Sequence, residues 1–479
     1  MGADFFDTTI GDQLTLQRGF DITKKQQAPG CVPVVSSGGI SSFNNQAKVE
    51  APGVVLGRKG SLGTVFFLED DYWPHDTTLW VKDFKNNNPL YVYYFFRNMS
   101  EQLKKMDVGA ANPALNRNHV HPIEIRWATR AIQDESVKVL SALDKKIQLN
   151  HQINQTLEQM AQAIFKSWFV DFEPVRAKIA ARKHWLAMQP ANESASPVCY
   201  ASDGEYRTPG DESPAVDLET AMNLAAMQAI SGKSEAALAR LQAEQPVQYA
   251  ELEATAALFP AAMQESELGE VPKGWEARPL HETAQYVNGA AFKAKDFSEG
   301  NVGLPIVKIA ELKQGISSTT KFTTEVLKEK YRIGSGDVLY SWSGSPETSL
   351  EVFKWFGGEG WLNQHIFKLN FNKSQNIHFV YFLLKQIKPL LVSTAKQKQT
   401  TGLGHITVAD MKRIRVPYPD KRLLNAFSHL VSPIYGRGSE ATKESATLAL
   451  LRDSLLPKLL AGELTLPEAE LQLQEVAHV

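Results

Sequence analysis

Apolar and polar positions follow two different periods along this chain. Short runs such as "CVPVVSS", "GVVLG", "TVFFLED" and "TTLWVKDF" are rich in β-branched and aromatic residues and are bounded by Gly, Pro and Asn. They predict strands joined by turns. A helix is expected around Asn88 to Lys105. From Ala131 to Phe172 neither Gly nor Pro occurs, and Leu140, Ile147, Asn154, Ala161 and Trp168 recur at a heptad spacing. Leu143, Asn150, Leu157 and Ile164 recur at the same spacing. That pattern belongs to a helix presenting a seam to a partner helix. Asn150 and Asn154 fall on the seam, where a polar residue costs stability but fixes register.

The pattern then repeats. "RGFDITKK" at Arg18 aligns with "AAFKAKDF" at Ala290, and "CVPVVSS" at Cys31 with "GLPIVKI" at Gly303. Phe20 to Phe292 and Pro33 to Pro305 share an offset of 272. "GVVLGRKGS" from Gly53 resembles "GDVLYSWSGS" from Gly336 with one residue inserted, and Tyr93 in "YVYYFFRNM" pairs with Tyr381 in "FVYFLLKQI". At Ile123 and Ile414 the offset has grown to 291, which implies loop insertions in the second copy. Chance similarity among apolar strands is the competing explanation, and six blocks in one order oppose it. The later offset pairs Leu157 with Leu448, Ile164 with Leu455 and Trp168 with Leu459, so a second helical seam is expected. Val431, Ile434 and Ala441 extend that seam, with Gly438, Ser445 and Arg452 as weaker members.

Each half therefore reads as an α+β globular domain followed by a long helix. Two seams in one chain satisfy each other as an antiparallel pair, with an ordinary helical bundle as the alternative. A helix of about 40 residues is roughly 60 Å long at about 1.5 Å per residue. Such a pair would hold the two domains apart about a pseudo-two-fold axis. The stretch Arg182 to Trp275 has no counterpart in the first copy. Its first part is polar and Pro/Gly/Ser-rich, as in a linker, and Leu218 to Phe259 has helical spacing.

Composition narrows the class. Hydrophobic residues at 43% and charged residues at 22% describe a globular chain. Apolar runs such as "YVYYFF" are too short to cross a bilayer. No charged start followed by an apolar core marks the N-terminus, so no secretory leader is expected. Cys31 and Cys199 alone make no disulfide framework or zinc site. A cytoplasmic location follows. The net charge of −2 argues at first sight against nucleic-acid binding. It averages over surfaces, however, and the acid-rich stretch Glu193 to Glu270 can mask basic faces elsewhere.

"LDKKIQLNHQINQTLEQMAQAIFKSWFVDFEPV" (Leu143 to Val175) resembles the central conserved region of Type I restriction–modification specificity (S) subunits, the HsdS family. "LRDSLLPKLLAGEL" (Leu451 to Leu464) is similar to that family's C-terminal conserved region. "LGEVPKGWE", "GLPIVKIAEL", "GDVLYSWSGS", "LNQHIFKL" and "LGHITVADMKRIRVPYP" resemble its second target-recognition domain. The resemblance implies target-recognition domain 1 over residues 1–130, a central conserved long helix over 131–181, and a linker with helical insert over 182–267. Target-recognition domain 2 would then span 268–420, and a C-terminal conserved long helix with a tail 421–479. It further implies recognition of a split, asymmetric duplex DNA site, with the paired helices as a coiled-coil-like spacer. Two modification subunits that bind S-adenosylmethionine and methylate adenine would dock on the helices. Restriction subunits, using ATP and Mg, would join them.

No catalysis is then expected in this chain. "NPAL" (Asn112 to Leu115) resembles the Asn/Asp-Pro-Pro-aromatic loop of amino-methylating enzymes, but Ala114 and Leu115 replace the second Pro and the aromatic. No Gly-rich cofactor loop accompanies it. "GKS" at Gly232 has Met227 where a phosphate-binding loop needs its first Gly. His119 and His121 lack companion ligands at metal-site spacing, which leaves a surface or DNA-facing role. A stand-alone adenine-N6 DNA methyltransferase would need a cofactor fold that no segment supplies. A non-DNA helical scaffold would not need the polar loops described next.

Base reading calls for Arg or Lys on guanine and Asn or Gln on adenine. In the first half the candidates are Arg58, Lys59 and Ser61, then Asn112, Asn116, Arg117, Asn118 and His119. In the second they are Lys308, Ser341, Trp342, Ser343, Asn363, Gln364, His365, Lys396, Lys398, Gln399, Thr400 and Thr401. The Lys and Arg among them are better suited to phosphates, which dominate such contacts. The aromatic end Phe165, Trp168, Phe169 and Phe172 is expected to support a recognition domain or receive a modification subunit, with plain core packing as the simpler account.

Overall fold

A computed structural model describes residues 4–106, 114–188, 217–317, 319–372, 376–398, 403–465, 467–469 and 471. The chain divides into two compact units, Met1–Gln152 with Lys443–Val479, and Ile153–Thr442.

The first unit opens with β1 (Phe5–Thr9), β2 (Thr15–Arg18), β3 (Val32–Ser36), β4 (Gly39–Asn44) and β5 (Gly53–Gly57). Then come β6 (Val65–Leu68), β7 (Trp73–Pro74), β8 (Thr78–Asp83) and β9 (Glu124–Ala128). One sheet runs β2-β8-β5-β6 and another β4-β3-β7, while β1 pairs with β9. All of β5 is buried, which is why "GVVLG" reads as a continuous apolar run rather than an alternation. Helix Pro89–Asn98 starts where the Asn88 side chain caps it and Pro89 occupies the first turn. It buries Tyr91, Tyr94 and Phe96 against Leu16, Val54, Leu56 and Leu79. Leu140, Leu143, Leu455 and Leu459 from the helical seams belong to this same core.

The second unit contains β10 (Met263–Ser266), β11 (Gly269–Pro272), β12 (Glu276–Pro279), β13 (Gln285–Asn288) and β14 (Leu304–Val307). They are followed by β15 (Phe322–Thr323), β16 (Arg332–Ile333), β17 (Val338–Ser341), β18 (Ser343–Gly344) and β19 (Glu351–Lys354). The last are β20 (Gly360–Leu362), β21 (Ile366–Asn370), β22 (Gly404–His405) and β23 (Arg415–Tyr418). The order β13-β21-β17-β19 reproduces β2-β8-β5-β6, and β12 pairs with β23 as β1 does with β9. Parallel pairing of β14 with β20 (Ile306 to Trp361) repeats that of β3 with β7 (Val34 to Trp73). The internal repeat is thus a repeat of topology. Helix Ile377–Gln386, capped by Asn376, repeats Pro89–Asn98.

A helix spans Arg130–Phe169 and another Lys421–Ala461. Within the first unit Asn150 Nδ2 donates to Glu444 Oε2 at 2.8 Å, and Arg452 Nη1 to Asp144 Oδ1 at 2.6 Å. Within the second, Asn154 Nδ2 donates to Thr442 Oγ1 at 3.0 Å and Phe165 lies 5.9 Å from Phe427. Rising numbers on one helix meet falling numbers on the other, so the pairing is antiparallel in both. Both seam asparagines bond across to the facing helix, as a register-setting role requires.

The expectation of one helix over 131–181 is corrected. The helix ends at Phe169, Phe172 adopts a positive φ of 55°, and a new helix runs over Glu173–Met188. That helix packs on the insert, which comprises helices Leu218–Ser231, Glu235–Glu244 and Pro246–Ala257. The aromatic end lies inside the second unit's core: Trp168 sits 5.1 Å from Phe259, and Phe169 5.1 Å from Phe379. The single helix expected over Asn88 to Lys105 is two, Pro89–Asn98 and Ser100–Lys105.

Candidate nucleic-acid interface

At the end of β5 the backbone N–H groups of Arg58 and Lys59 donate to Thr77 O at 2.9 and 3.0 Å. Arg58 O accepts the Leu115 N–H at 2.9 Å, and Lys59 bridges Ala114. The two first-domain loops singled out from sequence therefore lie side by side. Lys59, Ser61, Asn116, Arg117, Asn118 and His119 are all exposed there. The Asn116 side chain is partly committed, since it accepts the Asn118 N–H at 3.0 Å. Arg58 is half-buried and donates to Asp76 O at 3.4 Å. Burial, and then the like charge of Arg18, lower its pKa from the ordinary arginine value, and Asp76 opposes them. The Asp76 carboxylate accepts from Arg18 Nη2 at 2.8 Å and lies 3.1 Å from His75 Nδ1.

The second unit builds its tip on the same ladder ends. Trp342 N–H donates to His365 O at 3.3 Å, and Trp342 O accepts the Ile406 N–H at 2.9 Å. Ser343 pairs with His405 as Lys59 does with Ala114. Trp342 Nε1 donates to Asn288 Oδ1 at 3.0 Å, and its ring lies 5.7 Å from His365 and 5.6 Å from Phe367. Gln364 Nε2 is 3.1 Å from His365 Nε2. Asn363 N–H donates to Val307 O at 3.0 Å, which seats Lys308 beside this hairpin, its ammonium 5.2 Å from the Phe297 ring centroid.

Other candidates are placed differently. Ser341 is fully buried with its hydroxyl unpartnered, so it faces the domain interior rather than a duplex. It closes β17, and the outward turn begins one residue later. Lys396 pairs with Glu347 at 2.5 Å and Lys398 with both oxygens of Asp410 at 2.5 and 2.6 Å. Burial alone would raise the Asp410 carboxyl, but hydrogen bonds from Lys398 and Thr407 outweigh it and bring the pKa to about 2. These lysines hold their own domain's loops. Asn112, Gln399, Thr400 and Thr401 lie outside the described residues. His121 turns inward and accepts the Leu16 N–H at 3.0 Å, so it is not DNA-facing as expected, while His119 is exposed.

Sequence reasoning missed Arg18, Asp76 and Asn288. Their signal was the glycine pair Gly19 and Gly289, which the sequence alignment at an offset of 272 sets two residues out of step. The structure equates Phe20, bridged to His75, with Ala290, bridged to Asn363, and not with Phe292. A Cβ on Gly19 would lie 2.1 Å from His75 O, and one on Gly289 2.1 Å from Asn363 O. Among the described residues Asp21, His75 and Asp76 gather potential metal ligands within 4.8 Å. Arg18 already occupies the Asp76 carboxylate, so the cluster is an ion-pair network, and no metal is assigned to it.

Each unit, taken by itself, has the same strand topology and carries polar side chains at the same ladder ends, so the chain is one of duplicated domains with a duplicated candidate site. Residues 4–159 and 272–423 match the model of the Type I restriction modification DNA specificity domain, and the chain belongs to that family. The Type I restriction enzyme HindI specificity subunit of Haemophilus influenzae is 31% identical over 360 residues, 74% of this chain and 71% of that one. The MjaIX specificity subunit of Methanocaldococcus jannaschii is 22% identical over 389 residues, 79% of this chain and 69% of that one. The crystal structure of the S subunit from M. genitalium is similar over 96% of this chain and 97% of that one, at 13% identity and a TM-score of 0.45. The function is that of a Type I specificity subunit with DNA-recognition domains.

Proposed function

We propose that each unit reads one half of a bipartite, asymmetric duplex site, and that the chain directs partner methyltransferase and restriction subunits to that site without chemistry of its own. The supporting observation is that equivalent ladder ends carry different side chains: Arg18, Arg58 and Asp76 in one unit, Asn288, Trp342 and Gln364 in the other. Equal scaffolds with unequal tips suit an asymmetric site. Two modification subunits dock along the long helices in this proposal, and S-adenosylmethionine, ATP and Mg belong to the partners. Among the described residues no helix is long and apolar enough to cross a membrane, and we place the complex in the cytoplasm.

The test is single-molecule sequencing of adenine methylation in cells carrying the modification subunit, with and without this chain. A split motif should appear only with the chain, and exchanging residues 1–130 should change one half of it. An unchanged motif without the chain would overturn the proposal. S-adenosylmethionine binding by the isolated chain, measured calorimetrically, would instead support a methyltransferase.

A further inference from the structure

Arg18 closes β2 opposite Leu79, and Asn288 closes β13 opposite Phe367. Each is followed by a glycine pressed against the equivalent hairpin backbone, so the two side chains leave corresponding positions of the two domains. Both are exposed, and each is held by one neighbour. Asp76 takes one of the Arg18 guanidinium's five N–H donors, at 2.8 Å, and leaves the rest. The Trp342 indole can only donate, so the Asn288 atom facing it at 3.0 Å is the carbonyl oxygen. That bond fixes the amide's orientation and leaves the NH2 and one oxygen lone pair.

Neither arrangement suits a phosphate. A carboxylate beside Arg18 repels a phosphate and cancels much of the charge that would attract one. Asn288 carries no charge at all. Both suit a base edge. A guanidinium tethered at one Nη, with its other donors open, matches the two acceptors of guanine, O6 and N7, and an oriented amide matches the N6 donor and N7 acceptor of adenine.

We infer that Arg18, steadied by Asp76, reads a guanine in one half-site, and that Asn288, steadied by Trp342, reads an adenine in the other. The inference rests on the bipartite reading above and names the groups that carry it out. Arg58 and Trp342, the equivalent second positions, act as positioning residues for the tips.

The experiment uses the full chain with its modification subunit and reads the methylation motif in cells. Arg18→Ala should turn one guanine of the motif degenerate, losing about ten-fold or more of discrimination there and leaving the other half intact. Asn288→Ala should do the same to one adenine of the other half. Trp342→Phe, which removes the indole N–H, should weaken discrimination at that same adenine. Thermal melting of each variant guards against unfolding, with Arg18→Met and Asn288→Leu, which keep side-chain bulk and remove the hydrogen-bonding groups, as second variants expected to show the same degeneracy. A wild-type split motif that survives unchanged in both alanine variants overturns this inference and leaves the bipartite reading standing. A variant that weakens binding equally to all duplexes, with a shallower salt dependence, marks a phosphate contact and also overturns it. No split motif with the wild-type chain would sink the bipartite reading itself, and the inference with it.

Discussion

Replacing Asp144 by alanine should destabilise the first unit more than any exposed ion pair could. The carboxylate accepts from the Tyr94 hydroxyl at 2.7 Å and from Arg452 Nη1 at 2.6 Å, joining both long helices to helix Pro89–Asn98. Tyr94 is only 1% exposed, so the variant strands a buried hydroxyl, at a cost of about 1–3 kcal/mol. Loss of the Arg452 bond adds less. Asp144 is 29% exposed at its side chain and Arg452 keeps Asp453 at 2.7 Å, so about 1 kcal/mol is appropriate. A total near 3 kcal/mol corresponds to a fall of roughly 6–12 °C in melting for a unit of this size. Tyr94→Phe leaves Asp144 paired and should cost about 1 kcal/mol. The double variant should then cost less than Asp144→Ala alone, because replacing Tyr94 by phenylalanine removes the hydroxyl that the single variant strands. Differential scanning calorimetry of the full chain supplies all three values. A shift under 1 °C for Asp144→Ala, or strict additivity in the cycle, would refute the reasoning.

Three further outcomes are expected. His378 is driven down to about 4 by burial and then by the charge of Lys354, against an ordinary value of 6.5. Its unfolded form therefore takes up a proton first, and stability should fall as pH drops from about 6.5 towards 4. Urea midpoints at pH 7 and pH 5 should converge in His378→Phe, and an undiminished difference would count against this assignment. Trp168→Ala should cost about 3–5 kcal/mol, as for a buried aromatic, while folded molecules keep their affinity for the modification subunit. A selective loss of assembly at unchanged melting would restore the docking role for this end. Gly289→Ala should abolish one half of the methylation motif and Gly19→Ala the other, since each Cβ would meet a carbonyl oxygen at 2.1 Å. Retention of both half-sites would show that the hairpins tolerate displacement.

Some features of the chain announce themselves locally. A heptad seam is visible because side chains near in sequence share one helix face, and Leu140, Leu143, Leu455 and Leu459 are buried as that rule demands. The repeat was equally plain: Pro33 and Pro305 both lie in strands that pair in parallel with a tryptophan-bearing strand. Helix Lys421–Ala461 was harder to read as continuous, because Pro433, Gly436 and Gly438 interrupt its propensity. Gly438 lies where a Cβ would come within 3.2 Å of Asn154 Oδ1, so close packing explains what propensity opposes.

The candidate site was legible only as loops of suitable composition. Sequence by itself determined the two-copy organisation, the period of each element and the seam, because these depend on the 2.0 and 3.6 periodicities of the backbone. Tertiary structure decided which polar residues stand together. Arg18 and Asp76 are 58 positions apart and Asn288 and Trp342 are 54 apart. Pairing of strands across such separations sets which ladder ends coincide. The same pairing decides that Ser341 points inward while Trp342, one residue on, turns toward the tip. A one-residue difference along a strand reverses the face, and only the assembled sheet selects it.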